Sequence, residues 1–423
     1  MSTAVTGRQR ARTRLPADQR RAQLLAQAAR LFMQRGYAGV GIDEIGAAVG
    51  ISGPAVYRHV TGKEQLVTEI ADGWLDRFAQ RTRAARDLSA SDARLDAMLA
   101  CGLEITLSQV AEVTVVTRYT DVATHPVHAP SEVTDVRTPP DECRVRWDAV
   151  VALWAPVLAA AYPHLTPQQA PDYIRLVIGL VLGAAVSERE MSQGARVALL
   201  VQATRRVLET PLTLPASGSG ADDAPSRWRR ASRREQILDT AVRMFSERGY
   251  GGVSMADIAD EVGVTPSASY RHFTSKEELL ATAIERAGDR MVLSLGTALD
   301  DAATAGDAID SLIRTFVFDT LTNRDSMAVC VTERFHLPTS GLALARKRDR
   351  LVVDEWAHAL AVTRPELSLA GRELLVHAVL RLVVEAVRTL PRSEHAETAD
   401  ALVQVCHAVL DPLRLDALSE ATV

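Results

Sequence analysis

Apolar positions recur along this chain at helical spacing, and one such pattern occurs twice. Leu24, Leu25, Ala28, Leu31 and Phe32 fall on one helical face, as do Ile237, Leu238, Ala241, Met244 and Phe245 213 residues later. Gly36 and Gly249 follow these helices, where a left-handed C-terminal cap favours glycine. A shorter amphipathic segment comes next, with Ile42, Ile45 and Val49 inward in the first copy and Met255, Ile258 and Val262 in the second. Ser254 is a natural N-cap for that helix, and Gly41 at the same place caps less well. A tight turn follows, Gly50-Ile51-Ser52 or Gly263-Val264-Thr265, leading into a third helix capped by Ser52 or Thr265 with Pro54 or Pro266 in its first turn. Two short helices joined by a glycine-containing turn are the helix-turn-helix signature, whose second helix is shaped to enter a DNA major groove. The pattern predicts a three-helix module plus the start of a fourth helix, used twice in an all-α chain.

The repeat is ungapped over Arg20–Leu66 and Arg233–Leu279, with close to half of the positions identical. A second block repeats at an offset of 202: Arg144, Arg146, Val150, Val151, Trp154, Pro163 and Leu165 match Arg346, Arg348, Val352, Val353, Trp356, Pro365 and Leu367. The change of offset places about eleven extra residues in the first copy, within the Pro-rich stretch 125–140. The chain therefore reads as two similar protomers fused head to tail. The expected units are a basic arm 1–18, a first helix-turn-helix domain 19–80, a first helical domain 81–210, a linker 211–226, a second helix-turn-helix domain 227–293 and a second helical domain 294–423. Helices near 172–190 and 195–209 match 370–390 and 396–410. Both pairs are apolar, so each needs a partner, either the other half of the chain or a second copy.

Composition changes this picture in few places. The chain has 423 residues, 47% of them hydrophobic and 4% aromatic, which suits helical cores. The apolar run Leu176–Val186 is about half of the roughly 20 residues a membrane span needs. No apolar stretch follows Arg8, Arg10, Arg12 and Arg14, so the N-terminus does not read as a signal peptide, and a cytoplasmic protein without a membrane partner is expected. Cys101, Cys143, Cys330 and Cys406 lie far apart and read as reduced thiols, with no metal-ligand spacing and no cofactor expected. The net charge of −5 argues against a nucleic-acid partner until its distribution is read. Residues 8–65 hold ten Lys/Arg against four Asp/Glu, and residues 227–277 nine against seven, so basic charge gathers on the repeat. Only three of 48 basic residues are lysine, and two of them, Lys63 and Lys276, stand at the same repeat position. A helix N-terminus does not favour an ammonium, whereas a DNA phosphate there would, which makes both lysines candidate phosphate contacts.

The landmarks RGY-x-G-V, V-G-[IV]-[ST] and Y-R-H-[VF]-[TS]-x-K-E-x-L, each present twice, resemble the DNA-binding domain of the tetracycline-repressor (TetR) family over about 50 residues per copy. The resemblance implies an all-α regulator: a small helix-turn-helix domain with a larger helical domain that binds a small ligand and supplies the dimer interface. It places Tyr57, Arg58 and His59, and Tyr270, Arg271 and His272, toward DNA, and Val60 and Phe273 in the core. Base reading then falls to Ser52, Gly53, Pro54 and Ala55, and to Thr265, Pro266, Ser267 and Ala268. These small side chains favour thymine-methyl contact and DNA shape over bidentate hydrogen bonds. The arginines before each unit could track phosphates or enter a minor groove.

By the same resemblance, the inner helices 95–160 and 300–362 enclose a small, lipophilic or acyl-CoA effector. Arg118, Tyr119, Trp147, Trp154, Phe335, His336 and Trp356 are the polar or aromatic candidates there, each also readable as core or surface. The expected function is a ligand-responsive DNA-binding repressor whose partners are a duplex operator and an effector, working as an internal pseudo-dimer or a homodimer. The competing reading is an interaction module in which one helix-turn-helix has lost DNA binding. An enzyme finds no phosphate loop, nucleophile elbow or paired carboxylates to support it.

Overall fold

The computed structural model describes residues 17–37, 39–90, 93–119, 141–166, 169–212, 232–300, 302–389 and 395–411. Most of the basic arm 1–18, the stretch 125–140 and most of the linker 211–226 lie outside the described residues.

Every described element is helical. The first half comprises α1 (Ala17–Arg35), α2 (Ile42–Ala48), α3 (Gly53–Val56), α4 (Lys63–Leu88), α5 (Arg94–Ser108), α6 (Val110–Tyr119), α7 (Asp141–Ala161), α8 (Ala170–Ala184) and α9 (Gln193–Glu209). The second comprises α10 (Arg233–Arg248), α11 (Met255–Val262), α12 (Pro266–Ser269), α13 (Lys276–Asp300), α14 (Ala305–Thr322), α15 (Arg324–Thr332), a one-turn 3-10 helix (Arg334–His336), α16 (Thr339–Thr363), α17 (Leu369–Thr389) and α18 (His395–Leu410). The third helix of each head is shorter than the sequence suggests, a single turn followed by a bend. Helices α4 and α13 run unbroken from head into body, so the expected limits at 80 and 293 fall inside continuous helices. Such a shared helix ties the orientation of each head to the packing of its body.

The apolar pattern packs as read. Leu24, Ala28 and Phe32 close one head core with Ile45, Val56, Val60 and Leu66, while Leu25, Leu31, Ile42 and Val49 pack partly buried against it. Ile237, Leu238, Ala241, Met244 and Phe245 close the other with Ile258, Phe273 and Leu279. Among the described residues, positive φ occurs only at Gly36, Gly50, Gly249 and Gly263, between 71° and 75°. These are the same two turn positions in the two copies, where a side chain would be strained.

A single apolar core joins the halves. Leu176, Leu180, Val181, Leu200 and Val207 of the first half bury against Leu374, Leu375, Val379, Leu382, Val405 and Val409 of the second. Helices α8 and α17 cross closely, with α9 and α18 completing a four-helix bundle. Arg189 pairs with Glu373 at 2.6 Å beside it. No single described helix is long and apolar enough to cross a membrane, although the bent pair α5 and α6 passes that test jointly.

Candidate nucleic-acid interface

Each head presents the end of its helix-turn-helix outward because the apolar residues around it are spent on the core. Val56 and Val60 are buried and so are Ser269 and Phe273, which turns the residues between them to solvent. Tyr57 is 58% exposed and Tyr270 51%, so the ring and hydroxyl of each are open to a partner. Arg58, Arg271 and His272 are exposed and His59 is half-buried. Ser52, Pro54, Thr265, Pro266 and Ser267 are exposed, with Ala55 and Ala268 half-buried. Gly53 differs from the expectation of an outward base-reading position. It is buried, and a Cβ there would lie 1.5 Å from Asp43 Oδ1, so Gly53 offers backbone alone beneath a carboxylate.

The two heads are built alike and tuned differently. In the second, the Ala268 N–H donates to Thr265 Oγ1 at 3.3 Å, whereas Ser52 makes no such cap. Ser254 caps α11 reciprocally: its N–H donates to Asp257 Oδ2 at 2.7 Å and its hydroxyl oxygen accepts from the Asp257 N–H at 3.1 Å. The Ser254 hydroxyl also donates to Asp257 Oδ2 at 2.7 Å, and this bond, followed by that from the Ser254 N–H, holds the Asp257 carboxyl below its usual range. Gly41 caps α2 with no side chain, yet its N–H reaches Glu44 Oε2 at 2.9 Å. At the entry to α4 the Thr61 N–H donates to Gln65 Oε1, and at the entry to α13 the Thr274 N–H donates to Glu278 Oε2, both at 2.6 Å. Asp43 of the first head is replaced by Ala256 in the second.

The lysines do a job the sequence did not disclose. Lys276 Nζ donates to the Tyr250 and Val253 carbonyls, both at 2.8 Å, and lies 4.1 Å from the Tyr250 ring centroid. Lys63 Nζ donates to the Tyr37 carbonyl at 2.8 Å and lies 4.4 Å from that ring. Each lysine clamps the loop after the first helix of its head to the start of the fourth. The helix N-terminus does not favour an ammonium, but loop carbonyls and an aromatic face inside the domain do, and they outweigh the helix dipole. Burial pulls the Lys276 ammonium below its ordinary pKa.

Both heads lean on the 3-10 helix. The Tyr250 N–H donates to Glu333 Oε2 at 3.2 Å, and the Tyr250 ring stacks on His336 with centroids 4.7 Å apart. From the other side Gly39 approaches so closely that a Cβ would sit 3.4 Å from His336 Cε1. Sequence reasoning placed His336 and Phe335 in a ligand chamber. The structure instead puts His336 between the heads and leaves Phe335 40% exposed, and the packing partner Tyr250 lies too far along the chain for periodicity to reveal.

The other chamber candidates separate by half. Trp356 is buried in the core, edge-to-face on Phe316 at 6.1 Å, as packing alone demands. Trp147 and Trp154 line a first-half cluster where Trp74, Phe78 and Trp154 stack at 5.0 and 5.9 Å. The indole N–H groups of Trp74 and Trp154 are buried and meet no acceptor among the described residues. Arg118 and Tyr119 end α6, and their side chains lie outside the described residues. The four cysteines are free thiols, with burial pushing Cys143 up to about 12.

Two helix-turn-helix heads on one helical body define the class, a tandem helix-turn-helix protein. The sequence pattern described as "Bacterial regulatory proteins, tetR family" matches residues 24–70 and again 237–283. The chain thus carries two domains of the tetR-family DNA-binding type, one in each head. It is 38% identical over 79 residues to the HTH-type transcriptional activator FasR of Mycolicibacterium smegmatis, covering 19% of this chain and 36% of that protein. It is 42% identical over 60 residues to the HTH-type transcriptional repressor KstR2 of the same organism, covering 14% and 28%. The matches thus span about a third of each relative. Among solved structures, ketosteroid transcriptional regulator KstR2 of Mycobacterium tuberculosis aligns at 22% identity and a TM-score of 0.40, over 44% of this chain and 96% of that one.

Proposed function

We infer that the chain is a ligand-responsive transcriptional regulator that binds duplex DNA through two unlike heads and leaves its operator when an effector binds. The observation that carries this reading is the duplicated, outward-facing surface around Tyr57, Arg58 and His59 and around Tyr270, Arg271 and His272, set on intact helix-turn-helix cores. Tyrosine hydroxyls and guanidinium groups suit phosphate oxygens, and the small side chains of α3 and α12 suit thymine methyls and groove shape. Arg58→Ala and Arg271→Ala should each weaken binding to all sequences and lower the log–log salt slope by roughly one. Fluorescence anisotropy of a labelled operator from 50 to 300 mM salt reads both effects, and unchanged slopes in the double variant would refute the interface.

The effector site belongs to the first half, among Trp74, Phe78, Trp147 and Trp154. Trp74 is 7% exposed and its N–H meets no acceptor among the described residues, which suits an apolar ligand carrying a hydrogen-bond acceptor. The second-half counterpart Trp356 is close-packed. A ligand changes operator affinity only through unequal affinity for the bound and released shapes. Titrating medium-chain acyl-CoAs should shift tryptophan emission, raise Tm and lower operator affinity together. Stabilisation with unaltered operator affinity would remove the regulatory role.

A further inference from the structure

Helices α8 and α17 hold the same place in the two halves, so a symmetric dimer of either kind would set like against like. Their contact here is between unlikes. Gly179 and Gly183 of α8 have Arg381 and Glu385 as counterparts in α17 at the 202-residue offset. A Cβ on Gly179 would lie 2.7 Å from Leu382 Cα and 3.2 Å from Glu385 Cβ. One on Gly183 would lie 2.2 Å from the His377 carbonyl oxygen, 2.7 Å from Ala378 Cα and 2.8 Å from Arg381 Cβ. Backbone atoms are met in both cases, so no rotamer relieves the clash. The stems of Arg381 and Glu385 run over the glycines. Their charged ends pair with each other, and Glu385, its side chain 9% exposed, also pairs with Arg388 at 3.0 Å.

We propose that this contact selects its partner: each central bundle helix accepts the unlike helix of the other half, which the covalent tether supplies from the same chain at high effective concentration, and rejects its own kind. Two copies of α17 would bring two arginines and two glutamates into the space that the glycines leave open, forcing the helices apart and opening the core around Leu382. Two copies of α8 would bring four glycines together and leave voids where the Arg381 and Glu385 stems now pack. The isologous pairing open to a homodimer is therefore excluded from both sides. The duplicated chain is held with one head of each type in fixed order. This holds whether or not the heads prove to bind DNA.

The experiment alters the two surfaces in the full-length chain. Gly183→Leu should lower Tm by roughly 5–10 °C and raise the mass found by light scattering above that of one chain. Arg381→Gly with Glu385→Gly should lower Tm by a comparable amount through voids. Because the atoms a Cβ on Gly183 meets first are backbone, trimming α17 should not relieve the clash: Gly183→Leu combined with Arg381→Gly and Glu385→Gly should stay at least as unstable as the worse of its two parents and above the mass of one chain, 45.8 kDa. A combined variant that recovers the parental Tm and the mass of one chain overturns the proposal. A Gly183→Leu variant with parental Tm and mass, or parental chains that co-purify with a differently tagged copy, overturns it equally.

Discussion

Single residues in the two heads show what repetition in a sequence can and cannot disclose. Lys63 and Lys276 stand out from the sequence as a matched pair, but the carbonyls they hold are 26 residues away in the chain, so only the fold reveals the clamp. Lys276→Met should destabilise the protein by about 1–3 kcal/mol, since two loop carbonyls lose their donor. The same variant should leave the salt slope of DNA binding unchanged, whereas loss of a phosphate contact would lower it by roughly one. Thermal unfolding and anisotropy on one preparation separate the two. Asp43 is the reverse case, invisible as a functional residue until it is found over Gly53. Asp43→Asn should raise operator affinity by a few-fold at low salt, because a carboxylate beside the recognition turn repels phosphate. An unchanged affinity would mean that the first head keeps that turn away from the backbone.

At the scale of elements, the amphipathic faces, glycine turns and the cap at Ser254 were legible because they depend on near neighbours. The boundaries were not, because α4 and α13 continue on tertiary contacts that no local signal marks. The caps predict a difference in acid. The Thr274 hydroxyl and then its N–H hold the Glu278 carboxyl below its usual range. For such a group the stabilisation is complete above the unfolded value of about 4.3 and disappears as pH falls through the lower folded value. Gln65 makes the same cap in the first head with no proton to gain. The Tm advantage of the parent over Glu278→Gln should therefore shrink between pH 5 and pH 3. A constant difference across that range would contradict the assignment. The 3-10 helix Arg334–His336 is an element that periodicity missed altogether, since its role lies in touching both heads. His336→Ala should loosen the Tyr250 loop, speeding amide hydrogen exchange there and in the loop around Gly39. Exchange confined to the Tyr250 side would show that the heads are not coupled through it.

For the whole molecule, the duplication and its two offsets gave the architecture of two fused protomers, and the α8–α17 crossing supplies the reason for one chain. What the sequence left open, internal pairing or a second copy, depends on which side chains face which glycines, and that register exists only in the folded bundle. Because the heads differ at the recognition turn, Ser-Gly-Pro-Ala-Val against Thr-Pro-Ser-Ala-Ser, an internally paired chain should prefer an operator whose half-sites differ. The most direct test is the mass of the complex formed with an operator duplex selected from random DNA, measured by native mass spectrometry. The account predicts one chain of 45.8 kDa on one duplex carrying two unlike half-sites. Two chains on a perfect palindrome would contradict it.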